Sequence, residues 1–370
     1  MSCCLWTTAL RTEDRFVIDG TDGRFHLKSM PELNRPEESD DSLPQEPVEA
    51  PSSRPWLIWL IGAAACGALV LVVTHLTEEE EFLRLLNQID VSWLGLALLL
   101  QSGTYVLQGI VWRVVVSAGG QGLSLGKSFE LSLAMLFVDQ ALPSGGISGV
   151  AVVSGALSRL GMPRAVVASA VLVDVALYHL AYASCMAVAL GVTLYHSYLP
   201  GWVNAAMLVF LLVELGVVAF LIYLPSGGLI WVKTRLQRFT KLTRLLQWVE
   251  HAPAGSFKNH RVLLLAFVMH ALIFVLDAAT IWVAARALGV TSSLGGVFAS
   301  FMVSNLFRTI GIIPGGLGTF ETASVMALRS IGMPLSVGLS ATLLFRGLSF
   351  WLPMIPGLIC SRRLLRNRRD

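Results

Sequence analysis

The run Asn305-Leu306-Phe307-Arg308, continued through Ile313-Pro314-Gly315-Gly316-Leu317-Gly318-Thr319-Phe320-Glu321, breaks an apolar region with a turn that no continuous helix accommodates. An earlier apolar region is broken in the same way by Pro143-Ser144-Gly145-Gly146. Laying Pro143 on Pro314 superposes the two regions without gaps, and Gly145 then falls on Gly316. Leu123 meets Leu294, Ala156-Leu157 meets Ala327-Leu328, and Gly161-Met162-Pro163 meets Gly332-Met333-Pro334. The shared Gly-Met-Pro is the most specific of these matches, because helical membrane sequences share Leu and Ala by composition alone.

Around these breaks the chain reads as membrane protein. Hydrophobic residues make up 55% of the 370 residues, charged residues 14%, and the mean hydropathy is +0.68, against about 25% charge in soluble domains. That composition excludes an ordinary soluble enzyme, a disulfide scaffold and a nucleic-acid binder. A helix needs about 20 apolar residues to cross the hydrocarbon. Runs of that length occupy 56–75, 91–116, 166–194, 202–224, 262–288 and 335–360. The broken regions, 127–160 and 294–331, read as re-entrant helical hairpins. The pieces of the first are too short to span at about 1.5 Å per residue. The leading piece of the second, 294–313, is nearly long enough.

Charge orients this arrangement. The net +3 divides into an acidic segment 1–55, with 6 Lys+Arg against 11 Asp+Glu, and a basic remainder. Residues 1–55, punctuated by Pro and Ser, read as a disordered cytoplasmic tail without a signal-peptide core. The 225–261 loop carries Lys233, Arg235, Arg238, Lys241, Arg244, Lys258 and Arg261, and 361–370 is rich in Arg. The loop after 56–75 holds Glu78 to Glu81, and 195–201 has no Lys or Arg. The positive-inside rule then puts both termini and the 225–261 loop in the cytoplasm. The first hairpin enters from the cytoplasm and the second from outside, so repeats 91–194 and 262–360 are inverted. The expected fold is an all-α polytopic membrane protein with six transmembrane helices and two re-entrant helical hairpins in an inverted repeat. Inverted repeats whose broken helices meet at a central site characterise transporters; a duplicated scaffold without transport is the plainer alternative. Residues 230–250 read as a basic amphipathic helix on the cytoplasmic leaflet, with Leu236, Phe239, Leu242, Leu245 and Val249 on one side.

Charges inside apolar segments are costly and are functional candidates by default, with structural pairing as the alternative. They are Glu130, Asp139, Asp174, Glu214, Asp277, Arg308, Glu321 and Arg346. The candidate substrate-binding set is Arg308, Pro314, Gly315, Gly316, Gly318, Glu321 and Arg346 from the second half, with Asp139, Pro143, Gly145, Gly146 and Asp174 from the first. A helix starting near Thr319 offers free N–H groups to an anion, and Arg308 and Arg346 suit bidentate contacts to a phosphate. The plainer reading has Glu321 capping its helix and pairing with Arg346. Asp139 is placed to face Arg308 across the pseudo-symmetric centre. Asp174, Tyr178 and Tyr182 share one helix face with His179 beside it, and His270, Phe274 and Asp277 share another; they suit a proton relay or interhelical hydrogen bonding.

The stretch from Asn305 to Glu321, followed by Leu344-Phe345-Arg346 and Trp351, resembles the lysylphosphatidylglycerol synthase transmembrane region family, over roughly 56–360. The resemblance implies a flippase-like inner-membrane domain that moves a lipid or lipid-linked glycan across the bilayer. A soluble aminoacyl-transferase domain, as fused members carry, is not expected, since the chain ends at Asp370. Val150 stands where the second half has Glu321, so the two hairpins are not expected to act alike.

The expectation is a lipid translocase for an anionic phospholipid or polyprenyl-phosphate-linked glycan, without enzymatic activity, cofactor or metal. Its alternative is a non-catalytic membrane partner of a glycosyltransferase or lipid-modifying enzyme, and a homo-oligomer is compatible with either. Gly146-Ile147-Ser148-Gly149 matches the short pattern of intramembrane serine proteases, with His179 or His270 as base, but Thr319 opposite Ser148 accounts for it by repeat symmetry. The five cysteines show no metal spacing; Cys3 and Cys4 are acylation candidates.

Overall fold

The computed structural model describes residues 90–142, 146–223, 255, 257–310 and 314–366. The acidic tail, the 56–75 span, the 230–250 helix, Pro143, Gly145 and the last residues of the basic C-terminal tail lie outside them.

The described chain is all α, ten helices in order: α1 (Val91–Ser117), α2 (Leu125–Ala141), α3 (Ile147–Arg159), α4 (Arg164–His196), α5 (Gly201–Tyr223), α6 (His260–Ala287), α7 (Leu294–Ile310), α8 (Thr319–Ser330), α9 (Leu335–Arg346) and α10 (Leu352–Arg366). A 3₁₀ turn, Pro314–Gly316, sits between α7 and α8, and a π-helical turn, Gly347–Trp351, joins α9 to α10. α1, α4, α5, α6 and the bent rod Leu335–Leu364 are each long and apolar enough to cross a membrane. The protein is thus a polytopic helical membrane protein. α5 shows why: Leu208, Val209, Leu212, Val213 and Phe220 point outward without polar relief, a surface stable only in lipid.

The leading piece of the second broken region is helical over its described residues, Leu294–Ile310, a stretch of 17 residues, the same length as α2. At about 1.5 Å per residue the described helix is as short as its counterpart. The 335–360 run forms a helical stretch long and apolar enough to span, as expected. It wraps into a π turn immediately after Arg346, and two first-half side chains take carbonyls there. Tyr105 of α1 donates its hydroxyl to Leu348 O, and Gln140 of α2 donates to Ser349 O at 3.1 Å. A π turn releases carbonyls from the regular ladder, and these two side chains satisfy them.

Helix starts recur along the chain. Val91 pairs with His260, Leu125 with Leu294, Ile147 with Thr319, and Arg164 with Leu335. All four pairs keep nearly the separation that superposes Pro143 on Pro314. Both Gly-Met-Pro segments make one turn. Gly161 (φ 78°) and Gly332 (φ 90°) close their helices in the left-handed conformation. Met162 and Met333 are buried, with their N–H groups on Leu157 O (3.3 Å) and Leu328 O (3.1 Å). Pro163 and Pro334 open the next helices at φ −56°. The halves interlock: α1 packs along α6, α2 against α10 of the other half, and α7 against α4. Gly357 of α10 makes the second contact close, since a Cβ there would strike Leu133 O and the Phe137 side chain.

Gly332→Ala should cost about 1–2 kcal/mol, the strain of a left-handed alanine, because the space around it is open. Gly191→Ala, inside α4 and equally open, should hold or raise stability. Thermal unfolding of both variants in detergent checks this; equal melting of Gly332→Ala and wild type would contradict the turn.

Candidate functional site

The Pro-Gly-Gly-Leu-Gly sequence is dictated by backbone and by neighbours. Gly315, Gly316 and Gly318 all adopt positive φ, at 60°, 64° and 84°. A side chain at Gly315 would also run into the Phe350 ring, and one at Gly316 into Arg308. After this turn α8 starts at Thr319, whose hydroxyl donates to Gly316 O at 3.0 Å. Glu321, three residues past the cap, folds back so that its Oε2 accepts the Gly318 N–H at 2.6 Å.

The other Glu321 oxygen holds Arg346. Arg346 Nε donates to Glu321 Oε1 at 2.6 Å, and Nη2 donates to Gly315 O at 2.9 Å. The guanidinium lies 4.5 Å from the centre of the Phe350 ring and 5.2 Å from that of Phe320. Glu321 is 0% and Arg346 5% exposed. The pairing set out as the plainer alternative is therefore present. The α8 N-terminus expected to draw an anion is occupied by the protein's own carboxylate, and Arg346 is a clamp on the turn.

The first hairpin solves the same problem with a different residue. Val150 supplies no carboxylate, but Asp139, from the last turn of α2, reaches across and accepts the Gly149 N–H at 2.8 Å in the first turn of α3. Gly149 leaves room for it, since a Cβ there would overlap the carboxylate. Gly146 caps α3 at φ 90°. Each hairpin thus sets one carboxylate on the N-terminus of its second helix, where the dipole favours it.

Arg308 stands apart. It lies in the last turn of α7 with its Nε buried and without a hydrogen-bond partner, and among the described residues it forms no ion pair. Asp139 of α2, Asp277 of α6, and Tyr178 and Tyr182 of α4 lie within electrostatic reach of its charge. The two residues expected to face each other across the halves, Arg308 and Asp139, are within electrostatic reach without forming an ion pair. The faces read on α4 and α6 do meet: Asp174 Oδ1 and His270 Nε2 are 3.1 Å apart, both buried. Tyr182 stacks on Phe274, centroids 5.1 Å apart. His179 Nδ1 lies 2.6 Å from Glu214 Oε2 of α5. Both histidines are thus paired with carboxylates.

Sequence reasoning missed several participants. Gln101 of α1 donates to Asp277 Oδ1 at 3.1 Å and to Thr104 Oγ1 at 3.0 Å; a search for charged residues passes over an amide in an apolar run. Thr309 meets the Tyr182 hydroxyl at 3.4 Å. The contact of Phe350 with the turn left no pattern in the sequence. Among the described residues, no three His, Cys, Asp or Glu side chains converge as metal ligands.

This fold and this pair of capped hairpins define a class of helical membrane domains. The family model described as the lysylphosphatidylglycerol synthase TM region matches residues 58–357, and the chain belongs to that family. A UPF0104 membrane protein of Methanocaldococcus jannaschii is 25% identical over 309 residues, covering 78% of this chain and 90% of its own length. A UPF0104 membrane protein of Methanothermobacter thermautotrophicus is 24% identical over 318 residues, covering 80% and 91%. A phosphatidylglycerol lysyltransferase of Staphylococcus haemolyticus is 35% identical over 65 residues, covering 18% of this chain and 8% of its own length.

Glu321→Leu and Arg346→Met should each destabilise by about 3–5 kcal/mol, because each strands a buried charge, and the double variant should lose much less than their sum. Unfolding of all three variants in detergent tests the clamp; additive losses would refute it.

Proposed function

We propose that the protein is a translocase that carries a lipid with an anionic headgroup, or a lipid-linked precursor, between leaflets of the cell's inner membrane. The observation that carries this reading is Arg308. It is a cation in an apolar helical body, in the last turn of α7, with a buried Nε that has no hydrogen-bond partner and with Asp139, Asp277, Tyr178 and Tyr182 within electrostatic reach. A buried unpaired donor is costly unless a ligand completes it. A lipid phosphate has the charge and geometry to do so.

The other site residues then divide the work. Glu321, Arg346, Gly315, Gly316 and Gly318 hold the turn on which Arg308 abuts. Asp139 fixes the opposing hairpin and balances the Arg308 charge while no phosphate is present. Asp174–His270 and Glu214–His179 knit α4 to α6 and to α5. In this reading the hairpins are re-entrant, the halves form an inverted repeat, and both termini are cytoplasmic. The protein performs no covalent chemistry of its own. The likeness to a phosphatidylglycerol lysyltransferase segment supports a lipid context.

In proteoliposomes, wild type should exchange fluorescent phosphatidylglycerol between leaflets. Arg308→Ala should lower the rate by about ten- to a hundredfold, the worth of a hydrogen bond to a charged group, and Arg308→Lys should retain part of it. Exchange by Arg308→Ala at the wild-type rate would overturn the site. No exchange by wild type, with a stoichiometric enzyme co-purifying from cells, would favour the scaffold role instead.

A further inference from the structure

Between α4, α5 and α6 runs an open groove of about 410 Å³, lined almost wholly by apolar side chains, among them Leu177, Leu180, Val218, Ile222, Phe257 and Leu264. Its size is that of a small-molecule site, about 300–1,000 Å³. The rims of the groove belong to helices whose outer faces, through Leu212, Val213 and Leu215 of α5 and Leu265 and Val268 of α6, are exposed and apolar. The mouth therefore opens on hydrocarbon.

One end of the groove is basic. Phe257, part of the wall, is followed by Lys258 and, at the start of α6, by Arg261, just before the lining residues Leu263 and Leu264. Lys258 and Arg261 are exposed, and neither has an ion-pair partner among the described residues. The first turn of α6 adds the positive end of a 28-residue helix, capped by Asn259, whose Oδ1 accepts the Val262 N–H at 3.3 Å. An apolar slot that opens sideways to lipid and ends in cations matches one molecule in shape and charge.

We infer that the α4–α5–α6 groove seats an anionic phospholipid, its acyl chain between Leu180 and Leu264 and its phosphate on Lys258 and Arg261. The assignment is independent of transport through the Arg308 centre. The groove's inner wall belongs to the same helix segments as the Asp174–His270 and Glu214–His179 pairs, so an occupied groove braces the ion pairs behind it.

The test uses the full chain in nanodiscs of phosphatidylcholine containing phosphatidylglycerol with a photoreactive acyl chain. Labelling should map to 176–184, 218–222 and 263–267, and a phosphatidylcholine probe with the same tail should label far less. Lys258→Ala and Arg261→Ala should each lower labelling about fivefold, the worth of one basic residue beside an anionic surface. Both positions are exposed, so folding should survive. Ser184→Trp, which fills the slot, should abolish labelling in protein that melts as wild type. Equal labelling of the charge variants and wild type would overturn the headgroup assignment. A photo-crosslinking residue at Leu180 that captures residues 56–75, residues 230–250 or a second copy of the chain, instead of lipid, would overturn the occupant.

Discussion

Two full charges, Glu321 and Arg346, are buried against each other at a glycine-rich turn, and the second half of the protein is arranged around that pair. A buried ion pair is tolerated only where every charged oxygen and N–H has a partner. Here Glu321 divides its oxygens between the Gly318 amide and Arg346, while Arg346 divides its donors between Glu321 and the Gly315 carbonyl. The pair thus satisfies backbone groups that a broken helix would otherwise leave bare in an apolar surround. Phe350 covers the guanidinium and leaves room at Gly315 for no side chain.

The same constraint explains how the two halves lean on each other. The π turn that presents Phe350 frees carbonyls, and these are met by Tyr105 and Gln140 of the first half. Gln140 adjoins Asp139, which caps the opposing hairpin. The turn of one half and the hairpin of the other are therefore joined through three consecutive residues, Leu348, Ser349 and Phe350, at the bend between α9 and α10. Beside this frame Arg308 keeps a buried Nε without a hydrogen-bond partner, as Gln140 keeps its Oε1.

Much of this was legible in the chain. The constant offset between the two halves, the Gly-Met-Pro turns and the length of the apolar runs depend on local geometry: φ at glycine and proline, and the rise of a helix against the thickness of a bilayer. Such signals are local in sequence, so they are readable there. The charged residues also stood out singly, because apolar composition makes each one conspicuous.

What the sequence determined by itself was the class of protein, the broken helices and the short roster of charged residues inside them. Which of these are committed and which are free was decided only by packing. Arg308 and Arg346 look alike in the chain, each a lone arginine inside an apolar run. Folding brings Glu321 to one of them, while it gives the other two carboxylates within electrostatic reach and, among the described residues, no ion pair. Likewise Asp139 takes the capping role that Val150 cannot, because α2 ends where α3 begins in space. Pairing of charges depends on which helices touch, and that is a property of the interlocked halves that no local pattern encodes.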